Sequence, residues 1–546
     1  MLKIVSTTFR DAHQSLAATR MTTEQMKQVA KEEFSAGFFA SEMWGGATFD
    51  VMMRFLNENP WTRIDELKAI RDEVFEETGH YTNLQMLLRA SNLLGYKAYP
   101  DDVMNLFIKR MADHGMDIVR IFDAMNNPTT LEVPIKLTKK YGMHAQGCIV
   151  YAESPLHNEQ YFLDLAENLI EYGVDSLCIK DMAGIGKAED IKNLILALKS
   201  KFTVPIDLHM HDGCGTADDA YFKAVTEAGV DIIDLAISPL SGGSSQPAVE
   251  STMATLKTSG IDLGLDKQRI NVVADWARRL REEWIADFYE SIYETGKYAP
   301  SGANASNEGV LDEDGKAAAG LIDPSVLTPD PRTLDSAIPG GMLSNYKAQL
   351  RIQGKEELFD LLLPEIQQVR KDFSYVAAVT PTSQYLGSTA FMNVLSAGYR
   401  DAEGNFKVDD KKRYHMLSSE VKDFLKGYIG EHLEPIPDDV LERAGIDKSE
   451  CIHVRPGEIL PDELPKLMRE LNENKVMWGV DELLMYAMFP PVAMSYFKRH
   501  NLMPVEDELK NKGIHAAVTT APSSVGAAEG FDQFEIEEDI FELDFV

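Results

Sequence analysis

Cysteine is scarce in this 546-residue chain: Cys148, Cys178, Cys214 and Cys451 stand far apart, with no CxxC pair among them. That speaks against a disulfide framework and suits reduced thiols in a cytoplasm. Long apolar runs are missing as well. None approaches the ~18–20 residues needed to cross a bilayer, which excludes a transmembrane segment on this reading. The opening MLKIVSTTFRDAH lacks the charged start, apolar stretch and small-residue cleavage site of a secretory signal, so a cytoplasmic location is expected. Positive charge is in short supply: 54 Lys and Arg face 87 Asp and Glu, for a formal net charge of −33. A nucleic-acid partner needs a basic face, and an anionic membrane surface needs the same, so both are disfavoured. The acidic surplus reads as solubilising. An anionic substrate would then need local positive charge or a metal inside its pocket.

What is present is alternation. Over the first ~250 residues, short β-rich runs take turns with amphipathic helical stretches, the pattern of βα units and a parallel sheet. The strand candidates are 4–9, 38–43, 84–89, 117–122, 145–151, 176–180, 206–211 and 232–238. Eight strands, each followed by a helix, predict an α/β fold of the closed (β/α)8 TIM-barrel type. A local repeat supports it: Gly115-Met116-Asp117, Gly173-Val174-Asp175 and Gly229-Val230-Asp231 each stop a helix and return the chain to the sheet. The expected organisation is a barrel over 1–265, then a helical extension and long loop insertion over 266–335. Ala274 to Ser291 reads as helix, and 296–333 is rich in Gly, Pro, Ser, Asn and Asp. A C-terminal mainly helical domain follows over 336–515, and the last segment, 516–546, reads as an acidic, flexible tail or a docking segment that orders on a partner.

In such a barrel the chemistry sits at the carboxyl ends of the strands. There the sequence places Arg10, Asp11 and Gln14 after strand 1, Arg89 after strand 3, Lys180 after strand 6, and His209 and His211 on strand 7. Alternate residues of a strand share a face, so His209 and His211 can share one metal ion; they can equally be two hydrogen-bonded histidines without one. Asp11 adds a hard anionic oxygen and favours the metal. Lys180 at an inner strand end either pairs with a nearby Asp or, as a neutral amine, captures CO2. Spacing alone leaves both open.

The ordered set TTFRDAHQSLAATRM, EMWGGATFD, LQMLLRASNLLGY, IKDMAG, DLHMHD, SGGSSQPA, IPGGMLSN, VTPTSQYLG and LMYAMFPP resembles the carboxyltransferase family of pyruvate carboxylase, oxaloacetate decarboxylase and transcarboxylase. The likeness spans most of residues 4–500. It implies a barrel capped by a helical funnel domain, acting on carboxybiotin and a small 2-keto acid. By motif, the family's metal ligands fall on Asp11, His209, His211 and a carbamylated Lys180, with zinc expected and manganese or cobalt as alternatives. Keto-acid contacts fall on Gln14 and Arg89, an amide donor and a guanidinium fork. The family's proton-relaying threonine falls on Thr380, with Ser383 and Gln384 beside biotin.

No A-M-K-M biotin acceptor and no ATP-binding half occur in this sequence, so the resemblance implies biotin on a separate carrier protein, further biotin-enzyme subunits and a homodimer. Two departures bear on the substrate: Asp-Gly-Cys-Gly follows His211 where the family has a Thr/Ser-rich turn, and the 296–333 insertion is long. Gln384 stands where pyruvate carboxylases carry lysine, a feature of the transcarboxylase and oxaloacetate decarboxylase branch. Two rival functions remain: an acyl-CoA lyase or Claisen-type synthase, whose barrels share the Arg-Asp and His-x-His motifs, and a non-catalytic scaffold of a biotin complex.

Overall fold

The computed structural model describes residues 2–295, 321–336, 350, 354–403 and 405–503. The IPGGMLSN motif, most of the 296–333 insertion and the 516–546 tail lie outside these residues.

All eight expected strands form: β1 (Lys3–Ser6), β2 (Ala40–Gly45), β3 (Asn83–Leu88), β4 (Ile118–Ile121), β5 (His144–Val150), β6 (Ser176–Asp181), β7 (Ile206–Met210) and β8 (Ile232–Leu235). They are parallel, pair in chain order, and close where β1 meets β8 along Lys3↔Ile232 to Ser6↔Leu235. The strands are buried on both faces, inward against one another and outward against the helices, which explains their apolar runs. Helices return to the sheet through Gly115, Gly173 and Gly229 at φ 89°, 94° and 66°, a left-handed backbone that a side chain would strain.

Every second residue points inward: Gln146, Cys148 and Val150 on β5, Cys178 and Lys180 on β6, Asp207 and His209 on β7. One interior layer is polar. Arg120 on β4 donates to Gln146 Oε1 at 2.6 Å and to Asp207 Oδ2 at 2.7 Å, and it grips Asp234 of β8 through both of its terminal nitrogens. Buried charge is costly unless paired and hydrogen-bonded, and here each ion has its counterpart. Burial, then Asp234, push the Asp207 carboxyl well above the usual carboxylate range. Asp207 therefore holds a proton, and Asp234 carries the charge that answers Arg120. Above this layer the barrel is plugged by Leu87, Phe122, Cys148, Val150 and Cys178, and Ala377 and Val379 from the C-terminal region complete the cluster.

That C-terminal region is mainly helical: Leu362–Asp372, Thr382–Ala397, Ser419–Leu425, Asp438–Ala444, Leu464–Glu473, Val480–Met488 and Pro490–Arg499. A small antiparallel hairpin that the sequence pattern does not announce, Gly398–Arg400 with Phe406–Val408, interrupts it. The region is fastened to the barrel by Arg455 on Asp101 (2.6 Å at both oxygens), Arg110 on Asp481 (2.6 and 3.1 Å) and the Tyr99 hydroxyl on the Met488 carbonyl (3.0 Å).

Two local expectations, the bounds of strands 1 and 2, are corrected. Strand 1 ends at Ser6 rather than 9, because Thr8–Ala12 coils into one wide helical turn. β2 runs two residues later than expected, with a register shift between Glu42 and Trp44. The stretch LLMYAMFPPVAMSYFKRH is two helices, because Pro490 cannot supply the amide that would continue the first.

Candidate active site

The wide turn after β1 carries Arg10 and Asp11, both buried. Arg10 is a fork: Nε and Nη2 donate to Glu42 Oε2 at 2.9 and 2.6 Å, and Nη1 donates to Asp11 Oδ1 at 2.8 Å. The second Asp11 oxygen is thereby left facing the histidines. Oδ2 lies 3.0 Å from His209 Nε2 and 3.1 Å from His211 Nε2, and it accepts from Gln246 Nε2 at 2.8 Å. The three side chains offer donor atoms all within 4.8 Å of one another. His211 follows the last residue of β7 rather than lying on it, yet reaches the same point as His209.

The other ring nitrogens decide the chemistry. His211 Nδ1 lies 2.6 Å from the Ser244 carbonyl oxygen, which can only accept, so Nδ1 bears a hydrogen and Nε2 is the nitrogen turned toward Asp11. His209 Nδ1 lies 2.6 Å from Asp234 Oδ2, the carboxylate held by Arg120, and its Nε2 is turned the same way. Two imidazole nitrogens and a carboxylate oxygen thus converge on one point, with the Gln246 amide nitrogen 2.8 Å from Asp11 Oδ2 and 3.2 Å from His211 Nε2. Burial works against charge on Asp11, but the Arg10 guanidinium beside it holds its carboxyl well below the usual carboxylate range. Burial and the neighbouring Lys180 lower His209, so its ring stays neutral. Such a donor set fits a divalent cation, and the outward hydrogen bonds are those that fix histidine ligands in metal sites.

Lys180 closes the group from β6. It is fully buried, and its Nζ lies 2.8 Å from His209 Nε2. No ion pair to a carboxylate forms there among the described residues. Asp181, the obvious candidate, instead accepts from the Gly184 and Gly186 amides at 2.8 and 2.7 Å and shapes the following loop.

Gln14 enters through Arg10, whose Nη1 donates to its Oε1 at 3.3 Å. Arg89 lies just past β3. Its Nη1 donates to the Leu94 and Gly95 carbonyls at 2.6 and 3.4 Å, and its guanidinium lies 5.1 Å from the centre of the Tyr96 ring. Gly46 of the WGGATFD motif explains itself here. A Cβ on Gly46 would stand 2.4 Å from Arg89 Nη1, and one on Gly45 would stand 3.7 Å from Arg10 Cδ. Only Gly46 must stay small, because Arg89 and the Leu94 carbonyl oxygen (2.7 Å) fill the space a side chain would take.

Thr380 is half-buried, and its peptide bond to Pro381 is cis. Its near neighbours Ala377 and Val379 pack into the barrel cluster. Ser383, buried, and Gln384, partly buried, lie on the first turn of the next helix, where the Ser383 amide bonds the Val379 carbonyl at 2.8 Å. Asp11, Lys180, His209 and His211 are thus brought into one cluster, Gln14 is joined to it through Arg10, and Arg89 and Thr380 stand on separate elements.

Sequence reasoning passed over Asp234, Arg120, Glu42 and Gln246. The first three carried a signal, a charged residue at an inward strand position, and Gln246 stood in the SGGSSQPA run. The Ser244 carbonyl has no side-chain signature at all.

Two family models match this chain: one described as HMGL-like over residues 1–276, and one described as a conserved carboxylase domain over 333–538. A pyruvate carboxylase subunit of Methanocaldococcus jannaschii is 38% identical over 91% of this chain and 78% of its own length. The methylmalonyl-CoA carboxyltransferase 5S subunit of Propionibacterium freudenreichii is 34% identical over 96% of this chain and 91% of its own. Among solved structures, the carboxyl transferase domain of Rhizobium etli pyruvate carboxylase with pyruvate and biocytin superposes with a TM-score of 0.75. The identity is 28%, over 92% of this chain and 78% of that one.

Proposed function

This chain belongs to the carboxyltransferase family that includes the archaeal pyruvate carboxylase subunit and the 5S subunit, and from that premise we propose how its barrel mouth works. It moves a carboxyl group between carboxybiotin, presented on a separate carrier protein, and a small 2-keto acid such as pyruvate or oxaloacetate. The observation that supports this site is the convergence of two imidazole nitrogens and one carboxylate oxygen at Asp11, His209 and His211.

Those residues would hold a divalent ion, zinc before manganese or cobalt, which would supply fixed positive charge toward the keto oxygen. Lys180 completes the set. Its amine, as the free base, adds CO2 and loses one proton to become a carbamate, which puts an anionic oxygen donor where the buried nitrogen has no carboxylate partner. Arg89 holds an anionic oxygen of the keto acid in its fork, and Gln14 donates to the keto oxygen. Thr380 Oγ1 takes a proton from the methyl carbon and delivers one to the ureido nitrogen that has released its carboxyl as CO2. The enolate carbon then bonds that CO2, so atoms and charge balance. Ser383 and Gln384 flank biotin, and the apolar seal of Ala377 and Val379 keeps water from the enolate.

The roles divide the chain as a barrel (1–265), an extension (266–335), a funnel domain (336–515) and an acidic tail (516–546). A biotin carrier, further biotin-enzyme subunits and a second copy of the chain are its partners. Its free cysteines suit a reducing cytoplasm as the place of action. No helix among the described residues is long and apolar enough to cross a membrane. The carboxylase-domain match over 333–538, the segment that holds Thr380, favours this reading over an acyl-CoA lyase. Thr380→Ala tests it. Oxaloacetate decarboxylation with free biotin should fall at least ~100-fold, within the range for a lost proton-transfer group, while metal content holds. Full activity would remove the relay.

A further inference from the structure

His209 and His211 are oriented by unlike partners. His209 leans on a charged carboxylate inside the barrel, but His211 leans on a backbone carbonyl in the loop after β8, and a carbonyl orients a ring only as well as its own loop is held. That loop is held from outside the barrel. The Ser244 amide donates to the Val326 carbonyl at 2.9 Å, while the Ser244 carbonyl accepts from His211 Nδ1 at 2.6 Å. One peptide further on, the Ser245 carbonyl accepts from the Asp212 amide at 2.8 Å, and the Asp330 amide donates to the Gly213 carbonyl at 2.7 Å. The stretch 322–330 therefore touches both loops that flank His211.

The fit is close. Gly243 has φ 55°, and a Cβ there would stand 2.3 Å from the Val326 carbonyl oxygen. The stretch is anchored at one end, where Ile322 is fully buried and its amide donates to the Trp284 carbonyl at 3.1 Å. Asp323 then shapes the turn, its Oδ1 accepting from the Ser325 amide at 2.9 Å while the Val326 amide bonds its carbonyl at 3.0 Å. At the other end Thr333–Ser336 lies against Leu362–Asp372, the helix that leads into the Thr380 loop.

We propose that residues 322–330 are a positioning brace for His211, setting the direction of its Nε2 lone pair through the Val326–Ser244–His211 hydrogen-bond relay and coupling the cation site to the seating of the helical region. The inference rests on the reading of Asp11, His209 and His211 as metal ligands. Nothing in the brace touches substrate. It belongs to the outer support of a metal site, whose loss commonly weakens binding by about 10–100-fold.

The full chain is titrated with Zn2+ against a competing chelator, and amide hydrogen exchange across 242–246 is followed in the metal-free protein. Gly243→Ala, which drives a methyl into Val326, should weaken Zn2+ binding about 10-fold or more. Asp323→Ala, which loosens the turn, should weaken it about 3-fold and speed exchange at 242–246; Asp323→Asn keeps an acceptor and should restore both. A merely structural role would lower the melting temperature without moving affinity in step with exchange. Folded variants that bind Zn2+ like the unmodified chain overturn the brace. If the unmodified chain binds no Zn2+, the metal reading fails by itself, and exchange decides the brace: unchanged rates in Asp323→Ala would overturn it.

Discussion

Asp234→Asn separates the polar layer's two duties, holding Arg120 and orienting His209. Asp234 is fully buried, accepts from both terminal nitrogens of Arg120 and lies 2.6 Å from His209 Nδ1. An amide of the same shape removes the anion. Breaking a buried pair costs about 3–5 kcal/mol, and the lower end applies here because Asp207, 2.7 Å from Arg120, can release its proton and take over the charge. The His209 ring is then free to turn or change tautomer, and cation affinity should drop about 10–100-fold, or ~1.4–2.8 kcal/mol. Asp207→Asn is the control: it imitates the protonated acid already there and touches Arg120 but not His209. It should cost less than ~1 kcal/mol and leave affinity within about 3-fold. Chelator competition supplies the affinities, and urea unfolding of the metal-free protein supplies the stabilities. The reasoning is refuted if Asp234→Asn stays folded and binds metal as tightly as the unmodified chain, or if Asp207→Asn loses affinity equally.

Glu33, on the helix Thr23–Ser35, is buried and accepts a long hydrogen bond from Ser41 at 3.4 Å, and burial pushes it up to about 7 from an ordinary 4.5. Its folded value lies above its unfolded value, so its contribution is fully present below pH 4.5 and is lost as pH rises to 7. Glu33→Gln should abolish about 2.5 kcal/mol of that decline, read from urea unfolding at about pH 5 and 8; parallel curves for the two proteins would contradict it. Gly46→Ala puts a methyl 2.4 Å from Arg89 Nη1, so KM for the keto acid should rise at least ~10-fold with metal content unchanged, and a normal KM would show that Arg89 does not grip substrate. Lys180→Ala should lower metal occupancy measured by elemental analysis; full occupancy refutes the carbamate role.

The barrel was legible because its causes are local. Eight apolar runs with helix-stopping glycines between them leave few closed arrangements for right-handed βα units, and all eight strands appear within a few residues of their expected places. The histidine pair was legible for the same reason, since strand periodicity puts His209 and His211 on one side. Strand ends were less so. Nothing in IVSTTF warned that the chain would coil after Ser6, because the turn is held by Arg10 reaching Glu42 across the sheet.

What composition and pattern determined without help is the fold class, the acidic surface and the candidate donors. Only the folded chain decided which nitrogen of each histidine faces Asp11, because that depends on Asp234 and the Ser244 carbonyl, residues 25 and 33 positions away from their partners. The same holds for Lys180, whose neighbour Asp181 turned to the loop backbone instead. A side chain's type is written in the sequence, but the hydrogen bond that sets its direction belongs to whichever groups the barrel brings within about 3 Å of it.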